Sequence, residues 1–315
     1  MKEFVPEYYG GFRCMAGQCK HSCCIGWEID IDDDTYEKYM AVKSPIKNKL
    51  NKSILSDGET HCFSLDDNER CPFLNKEGLC EIILELGEGY ISQICRDHPR
   101  FRNFYGDRVE IGLGLCCEEA ARLILFQERL PRLILTKDDG KASSLTEWED
   151  ELHSKREQIF RALQAENSDF LSCIEEISDT FSIKSSQKAL AEYIPMFESL
   201  EILDASWETR LRLLFVLSEE KIKAAERKYS LILKQALHYF FYRHLIQAED
   251  LAALRCRVAF CILSARMIAG LFALEEEKGE ISPEDLIDCA RIYSAEIEYS
   301  VDNTEEILTE LSFLI

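Results

Sequence analysis

Four cysteines stand within eleven residues, at Cys14, Cys19, Cys23 and Cys24. Cys62, Cys71, Cys80, Cys95 and the pair Cys116–Cys117 follow, so ten of the fourteen cysteines lie in the first 117 residues. Thiolates are the usual ligands of iron–sulfur clusters and one of the usual ligands of zinc. A metal-bound sulfur must come within about 2.3 Å of its ion, so the ligands have to converge. The short spacings Cys14-x4-Cys19 and Cys19-x3-Cys23 can wrap a cluster locally, as ferredoxin loops do, and Cys71, Cys80 and Cys95 can close the site through the fold. Neighbouring side chains point apart in extended chain. In Cys23–Cys24 and Cys116–Cys117, therefore, either one member ligates while the other packs, or the two serve different sites. His21, His61 and His98 lie nearby, but thiolates already outnumber the ligand positions, and the three read as ordinary side chains. The set reads as an iron–sulfur site or, second to it, a zinc site, and no paired C-x2-C ribbon and no C2H2 spacing is present. Cys173, Cys256, Cys261 and Cys289 sit on helical patterns and read as buried thiols.

Other chemical motifs are missing. There is no G-x-G-x-x-G, no P-loop, no C-x3-C-x2-C of radical S-adenosylmethionine enzymes and no sign of a Ser-His-Asp triad. The Asp30-x-Asp32-x-Asp34 spacing is not a calcium loop, because Thr35 replaces the turn glycine and Ala41 the twelfth-position glutamate. Those aspartates suit the cap of a helix through Thr35-Tyr-Glu-Lys-Tyr.

A formal charge of −21 opposes nucleic acid and anionic membrane as partners, since both demand clustered Lys and Arg. The N-terminus carries no apolar signal region, and charges interrupt the apolar stretches before they reach a membrane-spanning length. A cytoplasmic protein is expected. In that reducing compartment clustered cysteines point to metal or redox chemistry rather than disulfides.

The elements that must position the cysteines read as follows. Residues 1–13 are aromatic and loop-like. Short strands are expected at 27–31, near Phe63 and Leu65, and over 108–115. Short helices are expected at 81–86, stopping at Gly87, and at 90–95, ended by Pro99, with a longer one from Cys117 to Leu130. Thr136–Ser144 has linker composition. Beyond it, helices are expected near 146–165, 168–180, 186–200, 205–218, 219–246, 249–276, 283–300 and 303–313, with Thr146, Ser282 and Asn303 as N-caps. Leu237, Phe240, Phe241 and Leu245 form an apolar helical face and read as core rather than cofactor pocket. The fold expected is mainly α. A cysteine-rich, loop-rich metal-binding part with a few short strands (1–135) is followed by a linker (136–145) and a helical bundle (146–315).

The run Tyr8-Tyr9…Cys14…Cys19…Cys23-Cys24-x-Gly-Trp27, with Cys71-Pro-Phe-Leu, Gly-Leu-Cys80, Cys95-Arg…Pro99-Arg and Cys117…Glu119-Ala-Ala-Arg, resembles the FliB family, the flagellin lysine-N-methylases. Tyr239-Phe-Phe-Tyr-Arg and Ser294-Ala-Glu-Ile-Glu-Tyr-Ser…Asn303 extend the resemblance more loosely. The Cys-Pro-Phe-Leu and Cys-Arg segments also resemble YkgJ-type iron- or zinc-chelating domains. The resemblance implies a [4Fe-4S] cluster on the set Cys14, Cys19, Cys23, Cys24, Cys71, Cys80, Cys95 and Cys117, leaving out Cys62 and Cys116. It also implies methyl transfer from S-adenosylmethionine to lysines of a protein substrate, flagellin or another surface-filament protein. Such chemistry needs a base for the target amine, and Glu298, Tyr242 and Tyr299 are the candidates, with helix packing as their other reading. A second reading of the whole chain is a non-catalytic iron–sulfur or zinc module acting as a protein-interaction domain.

Overall fold

The structure, a computed structural model, describes residues 1–140, 145–165, 168–184 and 188–315. The chain enters on strand β1 (Lys2–Pro6). It then builds α1 (Asp33–Ala41), α2 (Lys47–Ser53), β2 (Ile54–Ser56), β3 (His61–Phe63), α3 (Glu81–Leu86) and α4 (Gln93–Asp97). Next come β4 (Arg100–Tyr105), β5 (Arg108–Leu113), α5 (Glu118–Leu125) and β6 (Leu133–Asp138). Helices α6 (Glu147–Gln164), α7 (Phe170–Phe181), α8 (Ile194–Ser199), α9 (Ala205–Val216), α10 (Glu219–Lys228) and α11 (Ser230–His244) follow, then α12 (Leu251–Glu276), α13 (Pro283–Tyr293) and α14 (Val301–Ser312). The protein is mainly α, as its periodicity indicates.

The chain divides into two compact units, Arg13–Arg100 and Met1–Phe12 with Phe101–Ile315. The boundaries differ from the expected 1–135, 136–145 and 146–315, because β1 is not loop. It lies inside a four-stranded sheet of order β4-β5-β1-β6. Lys2 pairs with Arg108 in parallel β5 and with Asp138 in antiparallel β6. Residues 136–138 belong to β6 rather than to a linker, and 141–144 lie outside the described residues.

In the larger unit, α12 is apolar on every side and buried on every side, as such a helix must be. It is long and apolar enough to cross a membrane by length and composition, contrary to the expectation that charge breaks every such stretch. Its central charge, Arg266, is neutralised in place: it donates to Glu226 at 3.1 Å, Glu219 at 2.6 Å and the Lys188 carbonyl at 2.8 Å. Helices α9, α10, α11, α13 and α14 pack around it. Phe240 and Phe241 are fully buried, as expected of core side chains.

Local capping follows the sequence closely at several ends. Thr146 and Ser282 each close a capping box, and Asp32 caps α1 by accepting from Thr35 N–H at 3.0 Å. Asn303 is not a cap. Ser300 takes that role, while Asn303 bridges the Glu201 and Glu296 carbonyls. The expected helix 219–246 is broken at Tyr229, and 283–300 ends in a π turn over Ser294–Glu298. The expected helix 186–200 is a 3-10 turn (Leu190–Glu192) followed by α8, with 186–187 outside the described residues. The 27–31 segment makes only a lone bridge, Asp30 to Cys62, rather than a strand.

Candidate functional site

In the Arg13–Arg100 unit, three backbone features gather cysteines. Ile25 bridges Arg70, and Cys71 N–H donates to the Cys24 carbonyl at 2.8 Å, which sets Cys24 beside Cys71. The loop from Cys71 to Cys80 is closed by a Leu74–Cys80 bridge and pinned by Asn75, whose side-chain oxygen accepts from Glu77 and Leu79 N–H groups at 2.9 Å. Cys80 is then the N-cap residue of α3, and Cys95 sits on α4. All four sulfurs belong to one apolar cluster with Tyr39, Phe63, Phe73, Leu74 and Ile82.

Their electrostatics tie the four together. Burial pushes the Cys71 thiol up to about 12, and the neighbouring Cys24, Cys80 and Cys95 add to it. Burial raises Cys95 to about 11, with Cys24 and Cys80 contributing. Burial raises Cys80 too, against the N–H groups of Ile83 and Ile82 at the start of α3. Cys24 goes the other way, down to about 7, through hydrogen bonds from Cys23 and Ser22 and the Arg70 charge. Arg70 itself is held by the Leu74 and Asn75 carbonyls at 3.2 and 2.6 Å.

Of the other expected ligands, Cys23 hydrogen-bonds Cys24, and Cys14, Cys19 and Cys23 share one loop. Cys14 and Cys23 are exposed and Cys19 is half-buried. Cys14 Sγ accepts from Ala16 N–H at 3.4 Å. The loop carrying these three lies backbone to backbone on the Cys71–Cys80 loop: a Cβ on Gly17 would sit 2.4 Å from the Glu77 carbonyl oxygen, and one on Gly78 3.1 Å from Gly17 Cα. Only glycine allows so close an approach. Cys117 lies in the other unit, at the N-cap of α5. Of the histidines, His98 lies tilted against Trp27 at 5.8 Å and is pushed down to about 4 by burial, and His61 stacks on Tyr36 at 3.6 Å.

Two observations test whether the quartet suits a metal group. Among the described residues, no three His, Cys, Asp or Glu side chains are arranged to hold a metal ion as they stand. A single tetrahedral ion with bonds of about 2.3 Å would draw its sulfurs to about 3.8 Å of one another. Against that, the donor set is four thiols in an apolar surround, and two buried hydroxyls there, Tyr39 OH and Ser92 Oγ, have no hydrogen-bond partner. The chemistry of the set fits a sulfur-bridged iron cluster, which spreads its ligands wider than one ion does.

The larger unit holds a second constellation. The π turn carries Glu298 inward, where its carboxylate accepts from Tyr239 OH at 3.1 Å, His244 Nε2 at 2.7 Å and Ser294 Oγ at 2.6 Å, with Arg243 Nε at 3.5 Å. Burial alone would raise the Glu298 pKa, but the Arg243 charge and the His244 and Ser294 bonds hold it below the ordinary value. Burial keeps His244 below its usual pKa despite Glu298, so the neutral ring donates. Beside it, Tyr299 hydrogen-bonds Cys116, and burial pushes that thiol up to about 12. Gly114 makes room for the Tyr299 hydroxyl, which an added Cβ would meet at 2.1 Å. Tyr242 OH donates to the Ile111 carbonyl at 3.2 Å.

The model of the FliB lysine N-methylase C-terminal domain matches residues 111–313. The chain belongs to the FliB family. Its relatives include a protein named lysine-N-methylase from Salmonella typhimurium strain LT2, 29% identical over 141 residues, which are 40% of this chain and 33% of that protein. The same figures hold for the lysine-N-methylase of Salmonella choleraesuis strain SC-B67. A protein named flagellar biosynthetic protein FliU, from Salmonella muenchen, is 30% identical over 134 residues, which are 40% of this chain and 79% of that protein. The alignment thus spans about a third of the two methylases. No solved structure matches.

The FliB domain match takes in Glu298, Tyr242, Tyr299, Cys116 and Cys117 and leaves the Cys24–Cys71–Cys80–Cys95 quartet outside it. Within the FliB domain, sequence reasoning missed the partners that fix Glu298. Tyr239, Arg243 and His244 fall at i, i+4 and i+5 on α11, and that helical spacing was the available signal. In the cysteine-rich unit it missed Tyr39, three residues after Tyr36 on the α1 face.

Proposed function

We propose that this FliB-family chain is a protein-lysine N-methyltransferase whose Arg13–Arg100 unit holds a [4Fe-4S] cluster on Cys24, Cys71, Cys80 and Cys95. Family membership over residues 111–313 carries the methyl-transfer reading, together with the printed names of the relatives. Four thiols that share one apolar cluster with the unpartnered Tyr39 hydroxyl support the cluster. The substrate in this reading is a protein, flagellin or another surface-filament protein, and the setting is cytoplasmic. The likeness of the Cys-Pro-Phe-Leu segment to YkgJ-type domains belongs to the same reading.

When bound, a thiolate-ligated cluster supplies one-electron chemistry and Lewis-acid iron. The chain's own residues prepare its place: Arg70 and the α3 N-terminal N–H groups face the sulfurs and favour their deprotonated form. Methyl transfer itself requires a neutral lysine amine. Its lone pair attacks the sulfonium methyl, the carbon–sulfur bond breaks, S-adenosylhomocysteine leaves, and the amine sheds a proton. Of the three candidate bases, Glu298 has its oxygens committed and Tyr242 is 1% exposed, whereas Tyr299 as a residue is 41% exposed. Burial of its hydroxyl nonetheless lifts the Tyr299 pKa well above the ordinary phenol. The exposed side of Tyr299 therefore lines the approach of an incoming amine in this reading, and water takes the proton.

The test is anaerobic purification, iron, sulfide and zinc analysis, then incubation with S-adenosylmethionine and filament protein, with lysines read by mass spectrometry. About four irons and four sulfides per chain with methylated lysines support the proposal. Cys71→Ser and Cys95→Ser should lose the iron, while Cys14→Ser retains it. Stoichiometric zinc without iron and without methylation would leave the interaction-module reading instead.

A further inference from the structure

Tyr39 is the innermost polar group of the cysteine-rich unit. It sits on α1, is 0% exposed, and its hydroxyl makes no hydrogen bond. Its ring packs on Phe63 at 6.1 Å, and its own carbonyl is occupied by Lys47 Nζ at 2.9 Å. A buried hydroxyl without a partner costs about 1–3 kcal/mol, so such groups are rare unless something fills the gap. Burial is the main influence on this hydroxyl, and after it come Cys95, Cys80 and Cys71, three of the quartet, with which Tyr39 shares one apolar cluster. A second buried hydroxyl lies in the same place: Ser92 Oγ, 1% exposed, makes no hydrogen bond of ordinary geometry and is turned toward the Cys95 sulfur, whose thiolate it favours. A buried hydroxyl with no partner and a second that finds only a thiol, in one apolar cluster with four cysteines, have a common explanation if an acceptor is to be bound there.

We propose that the Tyr39 hydroxyl donates a hydrogen bond to the sulfur core held by Cys24, Cys71, Cys80 and Cys95, with Ser92 as a second donor on the Cys95 side. The proposal rests on the cluster reading above. A phenol is protonated at neutral pH and has one hydrogen to give, whereas bridging sulfides and thiolates are acceptors. Such a bond strengthens as the core gains an electron, so it favours the reduced state and raises the reduction potential. Tyr39 thereby becomes a positioning and tuning residue, with no part in carrying the metal.

The experiment uses the full chain, purified without oxygen. Tyr39→Phe keeps the ring and removes only the hydroxyl. Its iron and sulfide content should match the wild type, while redox titration followed in the visible band should move to a more negative midpoint. The expected change is about tenfold in the reduction equilibrium, or about 59 mV for one electron. Stability of the metal-free Tyr39→Phe protein should be unchanged or higher, because the hydroxyl has no partner there. Ser92→Ala should shift the midpoint in the same direction and serves if Tyr39→Phe cannot be loaded. An unaltered midpoint in loaded variants of both residues would overturn the inference and leave the cluster reading standing. A wild type that binds no iron would instead overturn the reading on which the inference rests.

Discussion

Replacing Glu298 by Gln separates scaffold from base. The carboxylate receives Tyr239, His244 and Ser294 at 3.1, 2.7 and 2.6 Å and faces Arg243 at 3.5 Å, with no exposure of its side chain. At an effective dielectric of about 20 the Arg243 attraction alone is about 5 kcal/mol, part of it offset by desolvation. The amide keeps the volume but loses the charge, and its NH2 group faces donors where an acceptor stood. Removing one partner of a buried ion pair typically costs about 3–5 kcal/mol, and that is the loss expected here. Urea unfolding followed by far-ultraviolet circular dichroism reads it, since most of the helix lies in this unit. The same carboxylate sets a pH dependence. Its native pKa is below the unfolded one, so its contribution is present above the unfolded value and vanishes as pH falls through the native value. Glu298→Gln should flatten that acid limb. A loss below about 1 kcal/mol would refute the scaffold argument. So would abolished methylation with undiminished stability, which would make Glu298 the base.

Two further outcomes follow from buried charge. Burial and the nearby Arg156 push His238 down to about 3, so the unfolded chain takes up a proton below about pH 6.5 while the native ring does not, and stability falls as pH drops through that window. At pH 5 this histidine accounts for about 2 kcal/mol of the loss; comparing urea midpoints of wild type and His238→Leu at pH 7 and pH 5 should recover that difference, and equal pH slopes would sink the claim. Glu110 and Arg156, joined at 2.8 Å and both buried, share Tyr105, whose hydroxyl donates to Glu110 at 2.7 Å. Glu110→Gln alone should cost about 3–5 kcal/mol, whereas Glu110→Leu with Arg156→Met should return most of it; additive losses in the double-mutant cycle would show that the pair is not coupled.

Much of the helical half was legible because its signals are local. Thr146 and Ser282 cap as their spacing indicates, and α12 announces itself by composition. β1 was not legible. Its partners begin 106 and 136 residues away, at Arg108 and Asp138, and no local pattern encodes such pairing. The same limit applied to the candidate site. Seven of the eight expected ligands do fall in the Arg13–Arg100 unit. How they are grouped depends on the distant Ile25–Arg70 and Leu74–Cys80 bridges, whereas spacing reads only the local Cys14–Cys19–Cys23 run. The π turn that rotates Glu298 inward has no sequence signature beyond an unbroken helical pattern.

The motif Tyr239-Phe-Phe-Tyr-Arg gains its meaning from this geometry. On α11 the residues alternate between two tasks at helical spacing. Phe240 and Phe241 are core, while Tyr239, Tyr242 and Arg243 form a polar seam. Tyr239 accepts from Leu115 N–H at 3.2 Å and from Arg243 at 2.8 Å and gives its hydrogen to Glu298. Tyr242 ties to the Ile111 carbonyl, and Asn103 on β4 returns to the Tyr242 and Arg243 carbonyls at 3.2 and 3.0 Å. One turn of one helix thus binds the β4–β5 pair to the π turn, the two segments that flank Tyr299 and Cys116. A disturbance at Glu298 reaches Tyr299 along the chain itself, as its next residue, and also by way of Arg243, whose guanidinium lies 4.7 Å over that ring. The carboxylate therefore governs the one candidate side chain that meets solvent, without itself having to touch a substrate.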